Sequence, residues 1–251
     1  MDLRFGSGGE RGHVITAELR RLAECVGLLA VSVFALLQAD VRCAQAVQKQ
    51  AAFRMPLPVR AEGLLPLKRS GGVYRVKEGP EEGREVPFTL EGRGDRWLLT
   101  KKGLTSHELY KDEHGNILIL RETDFLENRQ VEYDPPVILL PAVVNGSTSV
   151  SGKTRITIRN ARTGAVTHRG TDQWQLVFAG IHTLETSKGL VSVYFLQLNH
   201  QVTLPLVQAS LRIDFGYTLG KGMVVTSVEQ ADRVLGLFSN RTTWRLEQPA
   251  G

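Results

Sequence analysis

Apolar and polar residues alternate along much of this chain, and that alternation specifies β-strands rather than helices. In VQASLRIDFGY, Val207, Ala209, Leu211, Ile213, Phe215 and Tyr217 hold one parity, and Gln208, Ser210, Arg212, Asp214 and Gly216 the other. A period of two places the two sets on opposite faces of an extended strand. At ~3.3 Å per residue such a strand runs about 36 Å, long for a globular protein. The same parity appears in WQLVF (Trp174, Leu176, Phe178), RITIR (Ile156, Ile158) and TWRLE (Trp244, Leu246). NILILRE at 116–122 opens on a continuous apolar run, as expected of a strand covered on both faces.

Turn residues punctuate these runs. DEHGN at 112–116 links SHELYKD to NILILRE, and NARTG at 160–164 links RITIR to AVTHRG. Asp and Asn offer side-chain caps and Gly accepts positive φ, so both connections read as antiparallel hairpins. DPP at 134–136 reads as a break between an N-terminal half, 72–134, and a C-terminal half, 148–247. The fold class that follows is all-β: a curved, mostly antiparallel sheet (half-barrel, open barrel or sandwich) over 72–247, preceded by an N-terminal helical signal segment.

That segment decides the expected compartment. Cys25 to Leu37, CVGLLAVSVFALL, carries no charge, follows Arg20-Arg21 and precedes AQA at 44–46. A basic flank, a short apolar run and small residues at the −3 and −1 positions describe a secretory leader cut after Ala46. A membrane-spanning helix would need ~20 apolar residues. Residues 1–46 are therefore expected as a signal peptide with an extended n-region, 47–71 as a proline-containing linker or arm, and the product as periplasmic or extracellular. Both cysteines, Cys25 and Cys43, lie in the leader, which leaves the exported chain without a disulfide, thiolate nucleophile or cysteine metal site.

Of 251 residues, 42% are hydrophobic and 23% charged, enough to bury a core. The net charge of +5 invites a nucleic-acid reading. Yet lysines and arginines are interleaved with acids, as in VKEGPEEGRE and RETDFLENR, which describes a solvated surface rather than a phosphate-binding groove.

GIHTLETSKGLVSVYFLQL, from Gly180, gathers residue types common in active sites. On a strand, His182, Leu184 and Thr186 share one face and Ile181, Thr183 and Glu185 the other, so His182 and Glu185 cannot act as a hydrogen-bonded pair. Lys188-Gly189 reads as a turn. Leu190 to Leu198 is apolar at both parities, which requires a second layer or a ligand cavity beyond the core. The six histidines (His13, His107, His114, His168, His182, His200) show no metal-binding spacing, and GKG at 220–222 is a turn rather than a phosphate loop. No G-x-S-x-G is present. No catalytic, cofactor or metal residue is assigned.

DFLENRQVEYDPPVILLPA followed by GSTSVSGKTRI, and later GIHTLETSKGLVSVYFLQL and YTLGKGMV, resemble an uncharacterised family of exported bacterial proteins over roughly 70–247. This chain departs from that family's pattern at Ser187-Lys188, Val191 and Leu219. The resemblance implies a shape similar to lipoprotein-carrier half-barrels, able to enclose an apolar ligand. The expectation is a non-enzymatic envelope protein that carries a lipid-like or other apolar molecule, with Trp174, Phe178, Phe195, Phe215 and Trp244 as its lining. The alternative is a structural or interaction module whose sheet edges or arm engage an envelope protein. Membrane contact is expected only through the leader, and no nucleic acid or cofactor is expected.

Overall fold

A computed structural model describes residues 57–79, 81–186, 189–234 and 238–248. The expected leader and cleavage site, the first part of the arm and Ser187-Lys188 lie outside the described residues. The chain enters through a two-residue strand, β1 (Val59–Arg60), and one helical turn, α1 (Ala61–Leu64). It then runs up and down as β2 (Ser70–Glu78), β3 (Glu85–Arg93), β4 (Arg96–Lys101), β5 (Thr105–Lys111), β6 (Ile117–Asp124) and β7 (Arg129–Leu140). After β8 (Val143–Val144), which pairs with β1, come β9 (Ser149–Asn160), β10 (Val166–Thr186) and β11 (Gly189–Thr203). The last strands are β12 (Val207–Thr218), β13 (Gly222–Val234) and β14 (Phe238–Glu247).

The sheet is antiparallel throughout, and its curvature goes to completion. Twelve strands close into a barrel in the order β10-β11-β12-β13-β14-β2-β3-β4-β5-β6-β7-β9. The β14–β2 seam is short, with Arg245 opposite Glu78, Leu246 opposite Val76 and Glu247 opposite Arg75. Closure removes the unpaired edges that a half-barrel would present to other chains.

DPP does not interrupt the sheet. Strand β7 continues through Pro135 and Pro136, but its register with β9 ends at Asp134. Beyond that point β7 stays with β6, Val137 opposite Ile119 and Leu140 opposite Ile117. Proline has no N–H to donate, so the ladder to β9 cannot extend past it. Thr154 bridges the gap by donating its hydroxyl to the Pro135 carbonyl at 2.5 Å. The two halves expected from the sequence therefore meet within one barrel.

The arm closes one end. Ala61 N–H donates to the Ala142 carbonyl at 3.0 Å, Gly220 N–H to the Gly63 carbonyl at 2.8 Å, and Glu62 pairs with Lys111. Leu64 and Leu65 are buried in the same cluster as Leu90, Leu99, Leu109 and Ile117 from the barrel wall. Two leucines removed from water contribute about 1.5–3 kcal/mol each. We call this the arm end; the turns at 102–104, 125–128, 161–165 and 204–206 form the far end.

The hairpin of β10 and β11 outruns its neighbours at the arm end. Strand β9 follows β10 only to Val177, and β12 joins β11 only from Tyr194. In the extension His182 lies opposite Val193 and Glu185 opposite Leu190 in unbroken register, so their positions alternate between faces. The bulge of this strand falls earlier, between Phe178 and Gly180. The His182 ring meets Phe195 edge-on at 5.2 Å, and its Nε2 lies 3.3 Å from the Ala179 carbonyl. The second apolar face of β11 is covered by the chain itself. A Cβ on Gly216 would fall 2.8 Å from Val193 Cγ1 and 3.1 Å from Val225 Cβ, so glycine there lets Val193 bury completely.

Candidate functional site

Register fixes which side chains face the lumen. Across β10 to β14 a single row runs Leu176, Leu198, Ile213, Val228 and Trp244, each opposite the next. Nearer the arm end the parallel row Phe178, Leu196, Phe215 and Thr226 does the same. Strands β11 to β14 thus offer a largely apolar wall.

The facing wall, β4 to β7, begins apolar and turns polar. Leu99 lies opposite both Leu90 and His107, and Lys101 opposite Phe88 and Thr105, so Lys101 and His107 continue the inward parity of Leu99 and Leu109. His107 in turn lies opposite Glu122, and Thr105 opposite Asp124. Across the next ladder Glu122 meets Val131, and Asp124 meets Arg129.

Burial changes along the lumen. At the arm end Leu109, Tyr194, Leu196 and Tyr217 are fully buried. Towards the far end burial is uneven: Leu211, Ile213 and Val228 on one wall, and Glu122, Asp124, Arg129 and Tyr133 on the other, are half-buried, whereas Trp174, Asp172, His200 and Leu104 stay buried. The lumen is packed most completely at the arm end and less evenly towards the far end.

Its electrostatics are uneven. Arg129 pairs with Asp124 at 3.4 Å. Glu122 Oε2 lies 3.7 Å from His107 Nε2 and accepts a hydrogen bond from the Tyr133 hydroxyl at 3.4 Å. Burial holds the His107 imidazole below its usual range, although Glu122 pulls the other way. The Tyr133 phenol is pushed well up by burial and by the carboxylates of Glu122 and Asp172. Lys101 is buried, donates to Thr226 Oγ1 at 3.3 Å and sits 5.7 Å from the centre of the Tyr74 ring. No carboxylate lies within ion-pair distance of it among the described residues, and burial brings its pKa down to about 8. Across β9 from this wall, Asp172 of β10 and His200 of β11, both buried, meet at 2.6 Å through Asp172 Oδ2 and His200 Nδ1. Asp172 Oδ1 and His107 Nδ1 are buried without a hydrogen-bond partner among the described residues.

The aromatic residues expected as a lining divide. Trp174, Phe178 and Phe215 face inward and belong to the main core cluster, and Trp174 lies against Gly152, where a Cβ would be 2.5 Å from the indole. Trp244 is half-buried on the apolar wall beside a second cluster of Tyr74, Val76, Val86, Leu104 and Leu246. Phe195 has the opposite parity from Tyr194, Leu196 and Leu198 and lies on the outer face. Sequence reasoning missed Lys101, His107, Glu122, Tyr133 and Asp172. Their signal was parity: Lys101 follows Leu99, Asp172 precedes Trp174 and His200 follows Leu198 on faces otherwise apolar.

A cleft of about 70 Å³ between the arm and the wall is lined by Leu65, Tyr74, Phe88, Leu90, Leu99 and Met223. That is room for a few waters at most, so the arm end is not the place for a larger ligand. Among the described residues no group of three or more His, Cys, Asp or Glu side chains is placed to hold a metal, and no helix is long and apolar enough to cross a membrane.

Fold and lumen together define a closed antiparallel β-barrel with one end plugged by the arm and a lumen that is apolar on one side and polar on the other. No family model matches the chain, and no curated protein does. Among solved structures, the hypothetical lipoprotein YmcC from Escherichia coli aligns with a TM-score of 0.38 and 12% identity, over 74% of this chain and 86% of that one. A likeness at that level carries no argument about what this chain does.

Proposed function

We propose that this chain is an exported, non-enzymatic binding protein that holds an amphiphilic, lipid-like small molecule in the far-end half of its lumen. The observation that carries the reading is the pair of facing walls. The row Leu198–Ile213–Val228–Trp244 is apolar and passes from a fully buried Leu198 to three half-buried residues. Opposite stand hydrogen-bonding groups, two of whose buried atoms, His107 Nδ1 and Arg129 Nε, have no partner among the described residues. Unpartnered buried polar atoms are costly unless something else satisfies them.

The polar wall carries Lys101 and Arg129 against Glu122 and Asp124, so the charges balance. That suits an uncharged hydrogen-bonding end, with the apolar body of the ligand against the other wall. Export is supported by the leader read from the sequence.

An interaction module would use free sheet edges or a free arm. Here each barrel strand has a neighbour on both sides except where the β10–β11 hairpin projects, and Val59 to Leu65 dock on their own barrel, which favours the ligand reading. Native mass spectrometry of protein taken from its own cell envelope tests it. A bound small molecule is expected, and ligand-free protein alone counts against the reading.

A further inference from the structure

The far-end turns carry exposed bulky apolar residues at their tips. Phe125 is 46%, Leu126 48%, Leu206 46% and Val166 39% exposed. These are not scattered. Phe125 N–H donates to the Leu104 carbonyl at 2.8 Å, tying the 125–128 turn to the 102–104 turn. Ala161 N–H donates to the Asn128 carbonyl at 2.8 Å, adding the 161–165 turn. A Cβ on Gly170 would meet Leu204 Cδ2 at 2.7 Å, which brings the 204–206 turn against the start of β10. Four segments therefore form one continuous arc of rim at the far end of the barrel.

Charge on this arc is predominantly positive. Lys102, Arg162 and Arg169 are exposed and have no ion-pair partner among the described residues. Of the acids nearby, Asp124 accepts from the N–H groups of Leu126 and Glu127 and pairs with Arg129, Glu81 pairs with Arg84, Glu127 is half-buried, and Glu82 is exposed.

We propose that this arc docks on the surface of an anionic lipid bilayer. Phe125, Leu126 and Leu206 enter the interfacial layer, and Lys102, Arg162 and Arg169 meet lipid phosphates. Apolar tips flanked by cations bind such a surface by area burial and electrostatic attraction together, and neither component alone holds stably. Docking would also face the far end of the lumen towards the membrane. The proposal rests on the rim alone and stands whether or not the lumen holds a ligand.

Hydrogen–deuterium exchange of the full chain, with and without vesicles of phosphatidylcholine mixed with phosphatidylglycerol, tests it residue by residue. Slower exchange is expected at 102–104, 125–128 and 204–206, weaker on phosphatidylcholine alone, and abolished there in Phe125→Ser/Leu206→Ser. The variant Arg162→Glu/Arg169→Glu should raise the lipid concentration for half-maximal protection by roughly tenfold or more. Because the readout is local, vesicle binding by the leader does not mask it. Protection confined to residues before 57, protection at the arm-end turns 112–116 and 219–221, or no protection at all would overturn the proposal.

Discussion

Replacing Lys101 by methionine should stabilise this protein at neutral pH, against the usual effect of a buried substitution. The Lys101 ammonium is buried at 4% exposure, without a carboxylate at ion-pair distance. A lysine titrating at about 8 instead of 10.5 has its charged form disfavoured in the folded chain; the difference corresponds to about 3 kcal/mol. Methionine has similar length, fills the same space and carries no charge. The substitution gives up the hydrogen bond to Thr226 and the contact over the Tyr74 ring, together about 1–2 kcal/mol. The Thr226 hydroxyl is not stranded, since it also reaches Met223 Sδ at 2.9 Å.

The net gain at pH 7 is about 1–2 kcal/mol, or a melting temperature higher by about 4 °C for a chain of this size. The pH dependence has a definite sign. Between about 8 and 10.5 the unfolded chain keeps a proton that the folded chain has released. Wild-type stability therefore rises with pH across that window, and the penalty is fully present below it. Lys101→Met lacks this titration, so its advantage should shrink by about 2 kcal/mol between pH 7 and pH 10. Urea unfolding of both proteins at the two pH values measures it. A variant clearly less stable than wild type at pH 7, or a difference that does not change with pH, would show that the ammonium is compensated inside the barrel.

Two further substitutions probe the wall and the packing. Asp172→Ala leaves His200 buried without its 2.6 Å partner and should lower stability by about 3 kcal/mol; a loss under about 1 kcal/mol in denaturant unfolding would mean the pair is solvated. Gly216→Ala places a methyl 2.8 Å from Val193 Cγ1 and 3.1 Å from Val225 Cβ, on branched side chains with little room to yield. It should cost about 1–3 kcal/mol, read as a lower melting temperature, whereas an unchanged transition would show that the outer face of β11 is loosely packed.

The strands were legible in the sequence because a period of two is a local signal. Val207–Thr218 matches the alternating run almost residue for residue, and the 112–116 and 160–164 turns fall where Asp, Asn and Gly place them. Closure was not legible. The seam joins Arg75–Glu78 to Arg245–Glu247, segments from opposite ends of the barrel chain, and three pairs leave no periodic mark. The arm hid for a related reason: Leu64 and Leu65 lie in a stretch without periodicity and acquire their role only from the barrel they plug. Among the aromatic residues, alternation placed Trp174, Phe178 and Phe215 on one surface, but type alone could not reveal that Phe195 has the other parity. The polar wall was written as polar residues on inward parities, Lys101 and His107 above all, and residue-type motifs pass over such positions.

The central claim is that the far-end half of the lumen holds an amphiphile between its two walls. Native mass spectrometry of wild type and Ile213→Arg, prepared side by side from the cell envelope, addresses it most directly. Ile213 sits mid-row on the apolar wall and half-buried, where an arginine can occupy the lumen while its head reaches the far end. The account predicts one bound small molecule on wild type and none on the folded variant. The same adduct on both proteins, or none on either, would contradict it.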